Sequence, residues 1–187
     1  MAQQTIQSNL VAKFGRRISE ANGACKDAPV DVGIMRLPTG IQGGVAKLQA
    51  MTFGVYKDGA LKGEEFFRAS AVVTPPQPHG GQRCAGLHTS VMVPMCDVPE
   101  KGQKKAVSLK DNFFDFQNVF KLLSDGKIVC PETEVSDPSG QKTLAFFMQW
   151  MRVLTDPARP PIYLTFSTRP WTPPKTMERP NPEEMVF

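Results

Sequence analysis

Histidine is almost missing from this chain, at two residues in 187, and that scarcity removes most hydrolytic designs. A serine or cysteine nucleophile needs a positioned base, and neither His79 nor His88 stands in a GxSxG or other elbow context. Cysteine is also sparse. Cys25, Cys84, Cys96 and Cys130 are scattered without CxxC spacing, which fits reduced thiols better than a disulfide scaffold. No apolar run approaches the ~18 residues that cross a bilayer. The opening MAQQTIQSNLVAKFGRRISE has no uninterrupted apolar stretch of signal-peptide length, so a soluble, cytoplasmic protein with no membrane partner is expected.

Other chemistry-bearing patterns are missing too. The glycines of GIQGG fit neither GxxxxGK[ST] nor GxGxxG, and they read as a strand start or a bulge. Glu64–Glu65 and Glu183–Glu184 are adjacent in sequence, so in an extended chain each pair points to opposite sides and forms no local acid/base dyad. His79, Cys84, His88 and Cys96 are all legitimate zinc ligands, but they lack the closely paired spacing of a zinc knuckle. Ordinary buried cysteines and solvated histidines are the expected state. No catalytic residue, no metal and no cofactor is expected, and the chain reads as a non-enzyme.

What the sequence does have is proline, basic charge and alternation. The 17 prolines are about twice average usage and cluster at 75–78, 157–161 and 170–182, where they punctuate the chain. Lys plus Arg exceeds Asp plus Glu by 22 to 18, a mild excess that permits a polyanionic partner without demanding one.

Leu10, Val11, Phe14 and Ile18 recur at helical spacing, so residues 5–22 are expected to form an amphipathic helix ended by Gly23. From Gly44 the even positions Ala46, Leu48 and Ala50 are apolar and are expected to face inward along a strand. YKDGALKG is a hairpin turn with glycines for its positive-φ positions, and EEFFRASAVV returns with Phe67, Ala69 and Ala71 inward. GLHTSVMVPM is a third strand, stopped at Pro94. In SLKDNFFDFQNVFKLLSDG, Ser108 is an N-cap with Asp111 as a capping-box partner. Leu109, Phe113, Phe116, Phe120 and Leu123 follow in steps of four and three before Gly126. A second helix is expected in QKTLAFFMQWMRVL. A late strand, PIYLTFSTRPW, alternates Ile162, Leu164 and Phe166 against Tyr163, Thr165, Arg169 and Trp171.

The outward positions of these strands combine cations with aromatic rings. Proteins that hold single-stranded nucleic acid pair a basic track for phosphates with aromatic platforms for bases. Lys47, Lys57, Lys62, Arg68 and Arg169 are the candidate phosphate contacts. Phe53, Tyr56, Phe66, Tyr163 and Trp171 are the candidate stacking rings. The plainer alternative is a half-solvated sheet whose outer positions are simply polar, with Phe66 covered by a helix. What separates the two is whether Phe66 and Arg68 share a face with Tyr163 and Trp171.

The order of a Leu-Pro-x-Gly motif at Leu37 to Gly40, a strand, the KDGALKGEEFF hairpin, a third strand and a helix resembles the OB-fold single-stranded DNA-binding proteins of phages and prophage-like regions. The likeness covers roughly residues 37–125. It implies an α+β protein with an antiparallel OB-like β-barrel, completed by PIYLTFSTRPW, an N-terminal amphipathic helix and two packed helices. It further implies non-catalytic, sequence-tolerant single-stranded DNA binding in phage-like DNA replication or recombination; a homo-oligomer is compatible with the sequence, which does not itself set the oligomeric state. The family's acidic, aromatic-ended tail, which recruits a protein partner, is echoed by EEMVF. The expected layout is an N-terminal helix and connector at 1–36, a single OB-like domain at 37–171, and a proline-rich extended tail at 172–187. The alternative is a structural or interaction protein, such as a phage or virion component or assembly adaptor.

Overall fold

A computed structural model describes residues 2–28, 36–38, 43–73, 88–102, 105–167 and 184–186. The described residues form a mixed α+β structure with three helices, α1 (Ala2–Cys25), α2 (Leu109–Leu123) and α3 (Gln141–Leu154). Its main sheet contains β2 (Gly43–Val55), β3 (Glu65–Val73), β4 (His88–Pro94) and β5 (Tyr163–Ser167). All its pairings are antiparallel, in the order β4-β3-β2-β5. A separate two-stranded ladder joins β1 (Arg36–Pro38) to β6 (Glu184–Val186).

Two expectations about topology are corrected here. The four-stranded sheet is open, with β4 and β5 as its two ends, so the late strand extends one end and closes no barrel. The Leu37–Pro38 segment does not lead the main sheet, because its backbone partners are Met185 and Glu184 near the end of the chain.

The hairpin forms where its glycines allow it. Gly59 and Gly63 take φ of 76° and 86°, left-handed values that cost glycine little. The loop closes through Tyr56 N–H donating to Glu64 O and Gly63 N–H donating to Tyr56 O, each at 2.9 Å.

Along β2 the alternation changes phase. Ala46 and Leu48 face inward as expected, but the register then slips, with Leu48 opposite Ala71 and Ala50 opposite Ser70. Gln49 is the extra residue of this β-bulge. Beyond it the inward positions are Met51 and Phe53, not Ala50, because a single inserted residue exchanges the two faces of a strand. On β3, Phe67, Ala69 and Ala71 are buried as their alternation requires.

The three helices cover the inner face. Leu109, Phe113, Phe116 and Phe120 of α2 are fully buried, and Phe116 packs against Phe53, Phe67 and Phe147 with ring centroids 5.9, 4.9 and 5.0 Å apart. The start of α2 is a complete capping box: the Ser108 side chain accepts from Asp111 N–H and the Asp111 carboxylate accepts from Ser108 N–H. Asp97 takes a further free amide, that of Leu109, at 2.8 Å.

Helix α1 puts Leu10, Ile18 and Ala21 into the same core. It passes through Gly23 and ends at Cys25, where the Lys121 ammonium of α2 donates to the carbonyls of Cys25 and Ala28 at 3.0 and 2.7 Å. A cation at a helix C-terminus satisfies carbonyls that have no intrahelical donor and meets the negative end of the helix dipole. Gly23 is exposed and nothing lies near its α-carbon, so the helix has no steric reason to stop there.

Candidate functional site

The outer face of the main sheet gathers most of the described candidates. Register fixes which residues share it. Lys47 lies opposite Val72 on β3 and opposite Tyr163 on β5, Thr52 opposite Arg68, and Gly54 opposite Phe66. Residues directly opposite in an antiparallel pair project to the same side, and β3 runs without a break, so Phe66, Arg68 and Val72 share one face with Lys47 and Tyr163. Arg68 is opposite Met92 on β4, which adds an exposed thioether chain to that face. Among the described residues no helix packs on this side.

The ring of Phe66 lies across the bare α-carbon of Gly54, so close that a Cβ there would sit 2.6 Å from the ring tip. Its other neighbour is Tyr56, with ring centroids 4.8 Å apart and planes tilted by 53°. Phe66 is therefore half-buried by its own sheet rather than covered by a helix. The Tyr56 hydroxyl is held above its ordinary pKa by burial, and it remains protonated at neutral pH. Tyr163 is 55% exposed and stands directly opposite Lys47.

Distances along the face follow from strand geometry. Arg68 is four residues from Val72, the partner of Lys47, which at about 3.3 Å per residue places the two cations roughly 13 Å apart at the backbone. Arg68 and Lys47 are both exposed. Neither forms a salt bridge among the described residues, where the paired cations are Lys13, Arg16 and Arg17.

Not every candidate belongs here. Phe53 is 4% exposed and sits in the aromatic core, so it offers no ring to a ligand. The bulge at Gln49 is the cause, since it turns Phe53 inward. Lys57 and Lys62 occupy the exposed tip of the hairpin beyond Tyr56, at one end of the sheet rather than on its face. Arg169 and Trp171 lie outside the described residues, as do His79 and Cys84 of the zinc alternative. Among the described residues no group of three His, Cys, Asp or Glu side chains is placed to hold a metal ion. Cys96 is buried, and that burial pushes its thiol up to about 11, which leaves it un-ionised and unreactive.

The sequence reading missed a groove of about 480 Å³ at one end of this face. Lys47, Leu48, Gln49 and Val72 form one side, and the segment from Leu154 to Ile162 forms the other. The basic residue Arg159, set within the proline cluster at 157–161, is the available signal. Its position is fixed by a turn in which Asp156 accepts from Ala158 N–H through its carboxylate and from Arg159 N–H through its carbonyl, at 2.9 and 3.1 Å.

No helix among the described residues is long and apolar enough to cross a membrane. Comparison with protein-family models, with curated proteins and with solved structures finds no match for this sequence.

Proposed function

We propose that the outer sheet face binds single-stranded nucleic acid without catalysis and with little sequence preference, as the phage-type resemblance implies for replication or recombination. The observation that supports this reading is the shared register: Lys47, Phe66, Arg68 and Tyr163 lie on one side of one sheet, which no described helix covers. Two cations without a salt bridge among the described residues give phosphates a track. Phe66 and Tyr163 give bases flat apolar surfaces, each stack adding about 1–3 kcal/mol.

Titration of a fluorescent oligo-dT at two salt concentrations tests the proposal. Affinity should fall with salt by about 0.7 log units per log of salt for each phosphate contacted. Arg68→Ala should reduce that slope by about 0.7, and Tyr163→Ala should weaken binding about fivefold or more with the slope unchanged. Absence of binding at micromolar protein near physiological salt would remove the reading and leave a protein-docking role for this face.

A further inference from the structure

Resting on that reading of the sheet face, we infer that the groove between the β2 bulge and the α3–β5 connection is a pocket for one unstacked nucleobase. Its flanking phosphates meet Lys47 and Arg159. Two residues carry the argument, because Lys47 and Val72 line the groove and also belong to the outer face. The groove therefore opens onto the proposed track, and a strand lying along β3 and β2 reaches it without a turn.

The chemistry of the walls suits a base better than a backbone. Leu48, Leu154 and Ile162 supply apolar surface, and all three are anchored to the hydrophobic core. Pro160 and Pro161 have fixed φ and no N–H to leave unpaired, so the far wall is rigid before any ligand arrives and little ordering cost accompanies binding. The volume of about 480 Å³ lies in the range of small-ligand sites, about 300–1,000 Å³. Asp156 is the single acid among the described lining residues, and its carboxylate is engaged by the Ala158 amide. Lys47 and Arg159 therefore leave the groove net positive. Tyr163 stands at the rim, opposite Lys47, where it can stack on the neighbouring base.

The experiment compares a fluorescent oligo-dT with an abasic strand of equal length, using the full chain and its variants Gln49→Trp and Arg159→Ala. Gln49 is exposed on the bulge, so tryptophan there fills base space without entering the core. Gln49→Trp should weaken oligo-dT binding about fivefold or more and leave abasic-strand binding unchanged. Arg159→Ala should lower the salt slope by about 0.7 on both strands and serves as the independent arm if the tryptophan variant fails to fold.

Equal weakening of both strands by Gln49→Trp overturns base insertion, as does unchanged or tighter binding of oligo-dT. If neither groove variant has an effect while Arg68→Ala still weakens binding, the groove is rejected and the face reading stands. Failure of the wild-type chain to bind either strand removes both.

Discussion

Lys121 is 3% exposed, and its ammonium is directed at two backbone carbonyls at the end of α1 rather than at a carboxylate. Replacing it with methionine keeps most of the buried volume and removes the donor from both carbonyls. Hydrogen bonds to charged groups contribute about 1.5–3 kcal/mol each, so Lys121→Met should lower stability by about 2 kcal/mol or more in urea unfolding. Asp97 works differently because it is half exposed. The Arg17 guanidinium donates to it at 2.6 and 2.7 Å and the Leu109 amide at 2.8 Å, which together hold its carboxyl down to about 2. A carboxylate whose folded pKa lies below its ordinary value adds stability above that ordinary value, near 3.9, and loses it as pH falls toward the folded one. Thermal midpoints should therefore drop between about pH 4 and pH 2, and Asp97→Asn should flatten that part of the profile. An unchanged profile in the variant would show that the clip contributes nothing measurable.

Each helix and strand was legible to the extent that its signal was local. The core stripe of α2 and its Ser108–Asp111 capping box are written in residues three and four apart, and the structure reproduces both. The inward set of β3 is equally plain because that strand is regular. The β2 pattern changes phase after Gln49, and the sequence carries a trace of it: Lys47 and Gln49 are polar at odd positions, whereas Met51 and Phe53 are apolar at odd positions with Thr52 between them, although only the pairing with β3 locates the extra residue. That one slip moved Phe53 from the candidate site into the core. Deleting Gln49 removes the extra residue and makes Leu48–Ala71 and Ala50–Ser70 consecutive pairs, so Met51 and Phe53 should stay inward and urea unfolding should remain cooperative. Gln49→Ala, a surface change, should stay within about 0.5 kcal/mol. A second non-local feature is the meeting of α1 with the start of α3, where a Cβ on Gly15 would lie 2.1 Å from Ser139 O. Gly15→Ala should cost about 1–3 kcal/mol through overpacking, although alanine is the better helix former. The groove was illegible for the same reason, since its two walls, at 47–72 and 154–162, are more than eighty positions apart.

On the scale of the whole molecule, the two faces of the sheet have opposite fates. One is sealed by three helices around a phenylalanine cluster, and the other carries Lys47, Arg68, Met92 and Tyr163 outward. Sealing also sequesters thiols: Cys25, Cys96 and Cys130 are all buried, and burial pushes each upward in pKa. At pH 8 these three should resist alkylation in the native protein and react fully after denaturation, as mass spectrometry of digested samples would record. Labelling of any of them without denaturant would mean that the helical layer opens readily. The order in which the chain is made adds a final consequence to the pairing of β2. Its partner on one side, β3, follows within a hairpin, but Tyr163 is synthesised 116 residues after Lys47. At about 5–20 residues per second, β2 waits roughly 6–23 s for β5. Farther along the same strand, the Gln3 amide donates to Phe53 O and accepts from Phe53 N–H at 2.9 and 3.2 Å, much as a neighbouring peptide would. Gln3 has emerged before β2 itself, so the Phe53 end of that edge has its partner as soon as β2 is made, whereas Gly43–Lys47 stays open until β5 arrives.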